Sequence, residues 1–191
     1  ETQFWGGNEF LYFENKDIRA ASTNVAKVGS SGDIYNSYLF TNLARANQIY
    51  SNNQDVNGNF VVKNINASNN EIEADYAWVY FSLSAPTFRA SNKDIYICGM
   101  FNNYSLSPEY KMDYNSEKGI FEKAVMIKQG FTAFQYTVAD KKGVIDYENA
   151  IDGNFYQTEN EYTILVYYRE STDRYQRVIG KGNANSINII N

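Results

Sequence analysis

Histidine is absent from the 191-residue chain, cysteine occurs once, and proline occurs only at Pro86 and Pro108. Without histidine there is no Ser-His-Asp or Cys-His activation of a nucleophile, no zinc site of the usual His-containing kinds, and no side chain that ordinarily titrates near neutrality. Carboxylate pairs remain available for acid/base chemistry, so the absence argues against an enzyme without excluding one. The lone Cys98, in the run IYICG, has no internal disulfide partner. No flanking base or basic cluster would lower its pKa, so it reads as a small buried hydrophobe in a strand. Leucine is scarce as well, six residues against 25 asparagines. That balance disfavours helices and supplies turns, because asparagine hydrogen-bonds its own backbone and tolerates left-handed conformations. No run approaches the roughly 18 apolar residues of a membrane-spanning helix. The start, ETQFWGGNEF, has neither the basic nor the apolar region of a secretory signal. A soluble chain is expected, either a mature protein or a fragment of something longer.

What the chain does have is aromatic mass, 17 Tyr, 12 Phe and two Trp, within a composition that is 43% apolar and 20% charged. A disordered chain would be poorer in aromatics. The expectation is therefore an all-β globular fold. The net charge, 17 basic minus 22 acidic residues or −5, disfavours a nucleic-acid partner.

Residues 9–22 read as two short extended runs separated at Asn15-Lys16, and 34–50 is ambiguous between strand and short helix. The run 60–63 reads as a strand after the turn dipeptide Asn57-Gly58. The clearest strand is 73–83, EADYAWVYFSL. Alternation puts Ala77, Val79, Phe81 and Leu83 on one face and Tyr76, Trp78 and Tyr80 on the other. A strand that is apolar on both sides is covered on both sides, by a neighbouring domain or by a partner. The linker-like SAPTFRASNK at 84–93 suggests a boundary near residue 88 between two domains, 1–88 and 89–191. In the second half, strands are expected at 94–99, 109–113, 119–127, 131–139, 161–169 and 174–180, the pattern of a sandwich.

Few motifs point to chemistry. Asp55, Asn57 and Asn59 alternate as calcium ligands would, but Phe60 and Asn66 stand where the loop needs its Gly and Glu, so a hairpin turn is the expectation and no metal is assigned. The carboxylate pairs Asp146 with Glu148 and Glu159 with Glu161 sit two apart on extended chain and do not oppose each other across a cleft. No catalytic residue, cofactor or small-molecule ligand is expected. Tyr76, Trp78, Tyr80, Tyr104, Tyr167 and Tyr168 are the aromatics whose positions leave them available to a surface. Of these, Tyr76, Trp78, Tyr80 and Tyr167 are the partner-interface candidates.

Two resemblances carry further expectations. IYICGMFNNY and GIFEKAVMIKQGFTAFQYTVAD, within 93–146, resemble early-set immunoglobulin-like modules, including the glycogen-binding carbohydrate-binding modules. In that family's turn motif, Gly99-Met100-Phe101-Asn102-Asn103-Tyr104 places Tyr104 where a sugar-stacking Trp belongs, and Gln135 replaces a Lys. The implied fold is two immunoglobulin-like β-sandwiches in tandem, the first incomplete at its N-terminus. Carbohydrate binding through Tyr104 and Gln135 is the alternative function.

The longer resemblance uses five strings in order: GGNEFLYFENKDIR (6–19), DVNGNFVVKN (55–64), EADYAWVYFSL (73–83), KMDYNSEKGIFEKAVMIKQGFTAFQY (111–136) and GNFYQTENEYTILVYYRESTDRYQRVIG (153–180). Together they resemble the C-terminal half of the type IX secretion system plug proteins, a family long catalogued as a domain of unknown function. The resemblance implies a non-catalytic periplasmic protein, associated with the outer membrane but not inserted in it, that closes the periplasmic opening of an outer-membrane translocon barrel. It also implies a longer parent carrying a signal peptide.

Overall fold

A computed structural model describes residues 3–52 and 56–188. Twelve strands run in chain order among them: β1 (Leu11–Glu14), β2 (Val25–Ser31), β3 (Ile34–Leu39), β4 (Asn42–Leu43), β5 (Phe60–Val62), β6 (Tyr76–Ser84), β7 (Asp94–Cys98), β8 (Asp113–Asn115), β9 (Ile120–Lys128), β10 (Gly130–Ala139), β11 (Glu161–Tyr168) and β12 (Arg177–Asn185). Four short 3₁₀ turns punctuate them, and no α-helix occurs among the described residues. The fold is all-β, as composition led us to expect.

Ten of these strands form two sheets packed face to face. One has the order β2-β3-β6-β9-β8, with β4 beside β6; the other joins β1, β5 and β7 to β10. The alternation in β6 works as read. Ala77, Val79, Phe81 and Leu83 are buried, and the opposite residues are not. Phe81 meets Phe13 of β1 and Phe134 of β10, ring centroids 5.9 and 5.0 Å away, so the two sheets share one aromatic centre. In β10 Phe134, Tyr136 and Val138 are buried in the same core.

The boundary expected near residue 88 requires correction. β6 pairs antiparallel with β9 from Tyr76↔Lys128 to Leu83↔Phe121, and β1 pairs with β10 from Leu11↔Phe134 to Glu14↔Phe131. Strands from before and after residue 88 thus pair directly within both sheets, and one core runs from Phe13 to Ile151. Pro86–Phe88 is a 3₁₀ turn that carries the chain from one sheet to the other. Composition resembles a linker there because a sheet-to-sheet crossing needs the same turn residues as a domain linker.

Another sheet crossing, from β9 to β10, is at Gln129-Gly130. Gln129 is buried, and its backbone N–H donates to Asp75 O at 2.8 Å while its Nε2 donates to Lys16 O at 2.7 Å. At Gly130 an added Cβ would lie 1.9 Å from the carbonyl oxygen of Val61, so only glycine lets β5 approach. Asn15 closes the corner by accepting from Gly130 N at 2.9 Å through Oδ1.

Other sequence expectations are adjusted locally. Of the two runs in 9–22 only β1 forms; the second is a turn, and the next strand is β2, which pairs with β3 through a two-residue turn with Gly32 at φ +63°. Residues 34–50 resolve as β3, β4 and a turn. The strand expected at 109–113 opens instead as the 3₁₀ turn Pro108–Tyr110, since proline presets φ and offers no ladder N–H. β12 begins at Arg177 and continues five residues past the expected end at 180.

The pair β11–β12 stands outside both sheets. Each of its strands pairs only with the other, and none of its residues is buried. Its base is fastened where Asn160 Nδ2 donates to Gly6 O at 2.8 Å and Phe4 packs on Tyr162 with centroids 5.2 Å apart.

Candidate partner surfaces and a cavity

The outer face of the six-stranded sheet carries three of the four interface candidates. Tyr76 is 58% exposed, and Trp78 and Tyr80 are half-buried. Cross-strand register puts Trp78 beside Met126 and Asn36, and Tyr80 beside Ala124 and Tyr38. Tyr38 stacks on Tyr80, Lys27 Nζ lies 4.6 Å from the Tyr38 ring centroid, and Lys128 Nζ lies 5.8 Å from that of Tyr76. These lysines place charge at the margin of an aromatic strip without interrupting it. Beneath the strip Asn36 is buried; its Nδ2 donates to Ser31 Oγ at 2.9 Å while its Oδ1 has no hydrogen-bond partner. No described strand of the chain covers this face. Tyr38 was missed by sequence reading because 34–50 had no assigned period.

Tyr167, the fourth candidate, lies elsewhere, on the β11–β12 ribbon, where it is 55% exposed. The structure therefore does not bring the four candidates together. Tyr168 lies on the same ribbon with Arg177 over its ring at 5.5 Å.

Tyr104 and Gln135, far apart in sequence, line one cavity of about 570 Å³. Trp5 and Tyr147 also line it; neither had a sequence signal beyond being aromatic. The turn that presents Tyr104 is fixed by Asn102, whose Oδ1 accepts from Gly99 N at 3.0 Å and whose Nδ2 donates to Ile97 O at 2.9 Å. Asn103 and Tyr104 are both left-handed, at φ +51° and +53°. Asp152 builds the wall: Oδ1 accepts from Arg45 Nε at 2.8 Å and Oδ2 from Tyr136 N at 3.1 Å, while Arg45 Nη2 donates to Glu9 O at 2.8 Å. A carboxylate that accepts two such bonds, one from a guanidinium itself bonded to Glu9 O, is a brace for the loop around it.

The acidic pairs gain no catalytic geometry. Asp146 receives hydrogen bonds from Lys93 and Asn149, and the lysine holds its carboxyl below the usual range, the reverse of what a general acid needs. Glu148 does not line the cavity, while Glu159 and Glu161 do so at the exposed base of the ribbon. No group of three or more potential metal-ligating side chains occurs among the described residues. Of the calcium-like set, Asp55 lies outside the described residues. Asn57 and Gly58 form the expected turn, at φ +53° and +74°.

With this geometry in hand, comparison with known proteins gives one informative result. The chain is similar to a hypothetical protein from Parabacteroides merdae ATCC 43184 whose crystal structure is solved, with a TM-score of 0.87 and 33% sequence identity. The match covers 95% of this chain and 45% of that one. The chain thus spans less than half the length of its solved neighbour. No family model matches it, and no curated protein does.

Proposed function

We propose that the chain is a non-catalytic component of the type IX protein secretion machinery that helps close the periplasmic opening of an outer-membrane translocon barrel. The observation that carries this reading is the double use of β6. Its inward residues complete the core, and its outward Tyr76, Trp78 and Tyr80 form an aromatic strip left uncovered by the chain's described strands. Rigid aromatic surface at low entropic cost is what a releasable protein contact uses. The long, interleaved sandwich suits a steric seal, which needs stiffness and no titrating group near neutral pH. The length of the solved neighbour agrees with a parent about twice as long, as in the plug family. The setting under this reading is the periplasm, against the outer membrane.

A second reading, a carbohydrate-binding module of the glycogen or starch type, is favoured by the shared cavity of Tyr104 and Gln135. Recovery from outer membranes, with tagged protein as bait, separates the two from each other when combined with glucan affinity electrophoresis. Translocon recovery without retardation by starch or glycogen supports the first. Retardation with no translocon recovered sinks it in favour of the second.

A further inference from the structure

The β11–β12 ribbon is a strip of sheet without a core. A two-stranded hairpin is marginal alone in water, yet this one exposes Ile164 and Val166 on one face and Leu165, Tyr167 and Val178 on the other. On the first face, Ile164 lies opposite Gly182 and Val166 opposite Gly180, so a row of aliphatic side chains stands beside a row of glycines. A Cβ added at Gly182 would meet nothing within 4 Å, and neither glycine has a left-handed backbone. Neither their own conformation nor, at Gly182, their packing within this chain calls for glycine. Glycines inside a strand also mark places where another backbone comes close.

Charge and area narrow what that neighbour is. The tip of the ribbon carries Arg169, Glu170, Asp173 and Arg174, tied down by Arg169 Nε donating to Asp173 O at 3.1 Å and Glu170 N donating to Asp173 Oδ2 at 3.1 Å. A hairpin that enters lipid leads with an apolar tip, and this one leads with four charges. From strand dimensions, one face of an eight-residue, two-stranded ribbon measures roughly 260 Å². Two copies stacked face to face would bury about 500 Å² in total, well under the roughly 1,000 Å² of a specific interface. Covering both faces reaches about 1,000 Å², before either edge is counted. Both edges are also bare among the described residues; neither strand carries a proline, and the one irregularity is a bulge at Ile179 of β12, which leaves the edge from Gly180 to Asn185 regular.

We infer that the ribbon inserts into a cleft of a larger protein, one with apolar walls that cover both faces and a strand that pairs with a ribbon edge. The inference rests on the chain being a partner-binding component, and it does not depend on that partner being the translocon. The test places a photocrosslinking benzoylphenylalanine at Ile164 or at Leu165, on opposite faces, in the whole protein in its own bacterium. Both positions should crosslink to one protein other than the chain itself. Gly182→Val should lower the yield at both by at least tenfold while leaving the thermal melt unchanged. In the crosslinked complex, amides of β11 and β12 outside the ribbon's own ladder should exchange at least a hundredfold more slowly. Crosslinks to lipid, to a second copy, from one face alone or to nothing overturn the inference, as do unslowed edge amides. A single partner that is not a translocon barrel leaves the ribbon inference standing and removes the secretion reading.

Discussion

Tyr38 lies flat on Tyr80, ring centroids 4.4 Å apart and planes inclined by 18°, on the face of the six-stranded sheet that the core does not use. The pair joins neighbouring parallel strands and extends the strip that Trp78 and Tyr76 continue along β6. Cross-strand aromatic pairs contribute about 0.5–1.5 kcal/mol beyond area burial. That is enough to hold the rings in place, and it leaves one side of the layer facing outward.

Trp78→Ala separates surface from core. Trp78 is half-buried and lacks the full enclosure of its neighbours Ala77 and Val79, so truncation should cost about 1 kcal/mol of stability. Association with the partner should weaken about tenfold or more, read by titration beside a urea melt. Loss of the cooperative melt would instead place Trp78 in the core.

Phe81→Ala should behave in the opposite way. Phe81 is enclosed between Phe13 and Phe134, and its removal opens a cavity where the sheets meet. A loss of about 3–5 kcal/mol is expected, measured as a lower urea midpoint. A cost under about 1 kcal/mol would show that the sheets do not pack through this cluster.

The Lys93–Asp146 pair makes a pH-dependent contribution. Hydrogen bonding from Lys93, more than any other influence, depresses the Asp146 carboxyl in the folded chain. The unfolded chain therefore binds the proton first as pH falls. The stabilisation is fully present above the unfolded value of about 3.9 and is lost as pH drops through the lower folded value. The stability difference between the parent and Lys93→Met should accordingly be present at pH 7 and shrink at pH 3. A difference that holds constant across this range would contradict the pairing.

Cys98 should be inert while the fold is intact. Burial pushes its thiol up, an effect partly opposed by a hydrogen bond with Thr137. Iodoacetamide at pH 8 should label it at least ~100-fold more slowly in native protein than in guanidinium. Equal rates would mean that β7 opens freely.

The strands were legible where one face had to be dry. In 73–83 a period of two separates buried from less buried residues; in 131–139 the set Phe134, Tyr136 and Val138 is buried, but Ala133, Thr137 and Ala139 on the other face are buried too. β2 left no such trace, because VAKVGSS fills an edge with small and polar residues. The joining of both halves into one sandwich was illegible for a different reason. The β6–β9 register joins residues 38 to 52 positions apart, Leu83↔Phe121 to Tyr76↔Lys128, across a turn whose composition also suits a linker. The two strands of the ribbon, expected at 161–169 and 174–180, read as ordinary sandwich strands in the sequence. Tyr162, Ile164 and Val166 alternate in the same way whether or not anything covers them, and only the structure shows Ile164 and Val166 uncovered. Tyr104 and Gln135 were picked by resemblance, and the fold brings both to one cavity with Trp5 and Tyr147, which no local pattern joins to them.

Binding of the chain to purified outer-membrane translocon barrel is the most direct test of the central claim. Saturable association is expected, weakened by Trp78→Ala and unaffected by Tyr104→Ala. Failure of the folded wild-type chain to bind the barrel, with retardation by starch or glycogen that Tyr104→Ala abolishes, would contradict it.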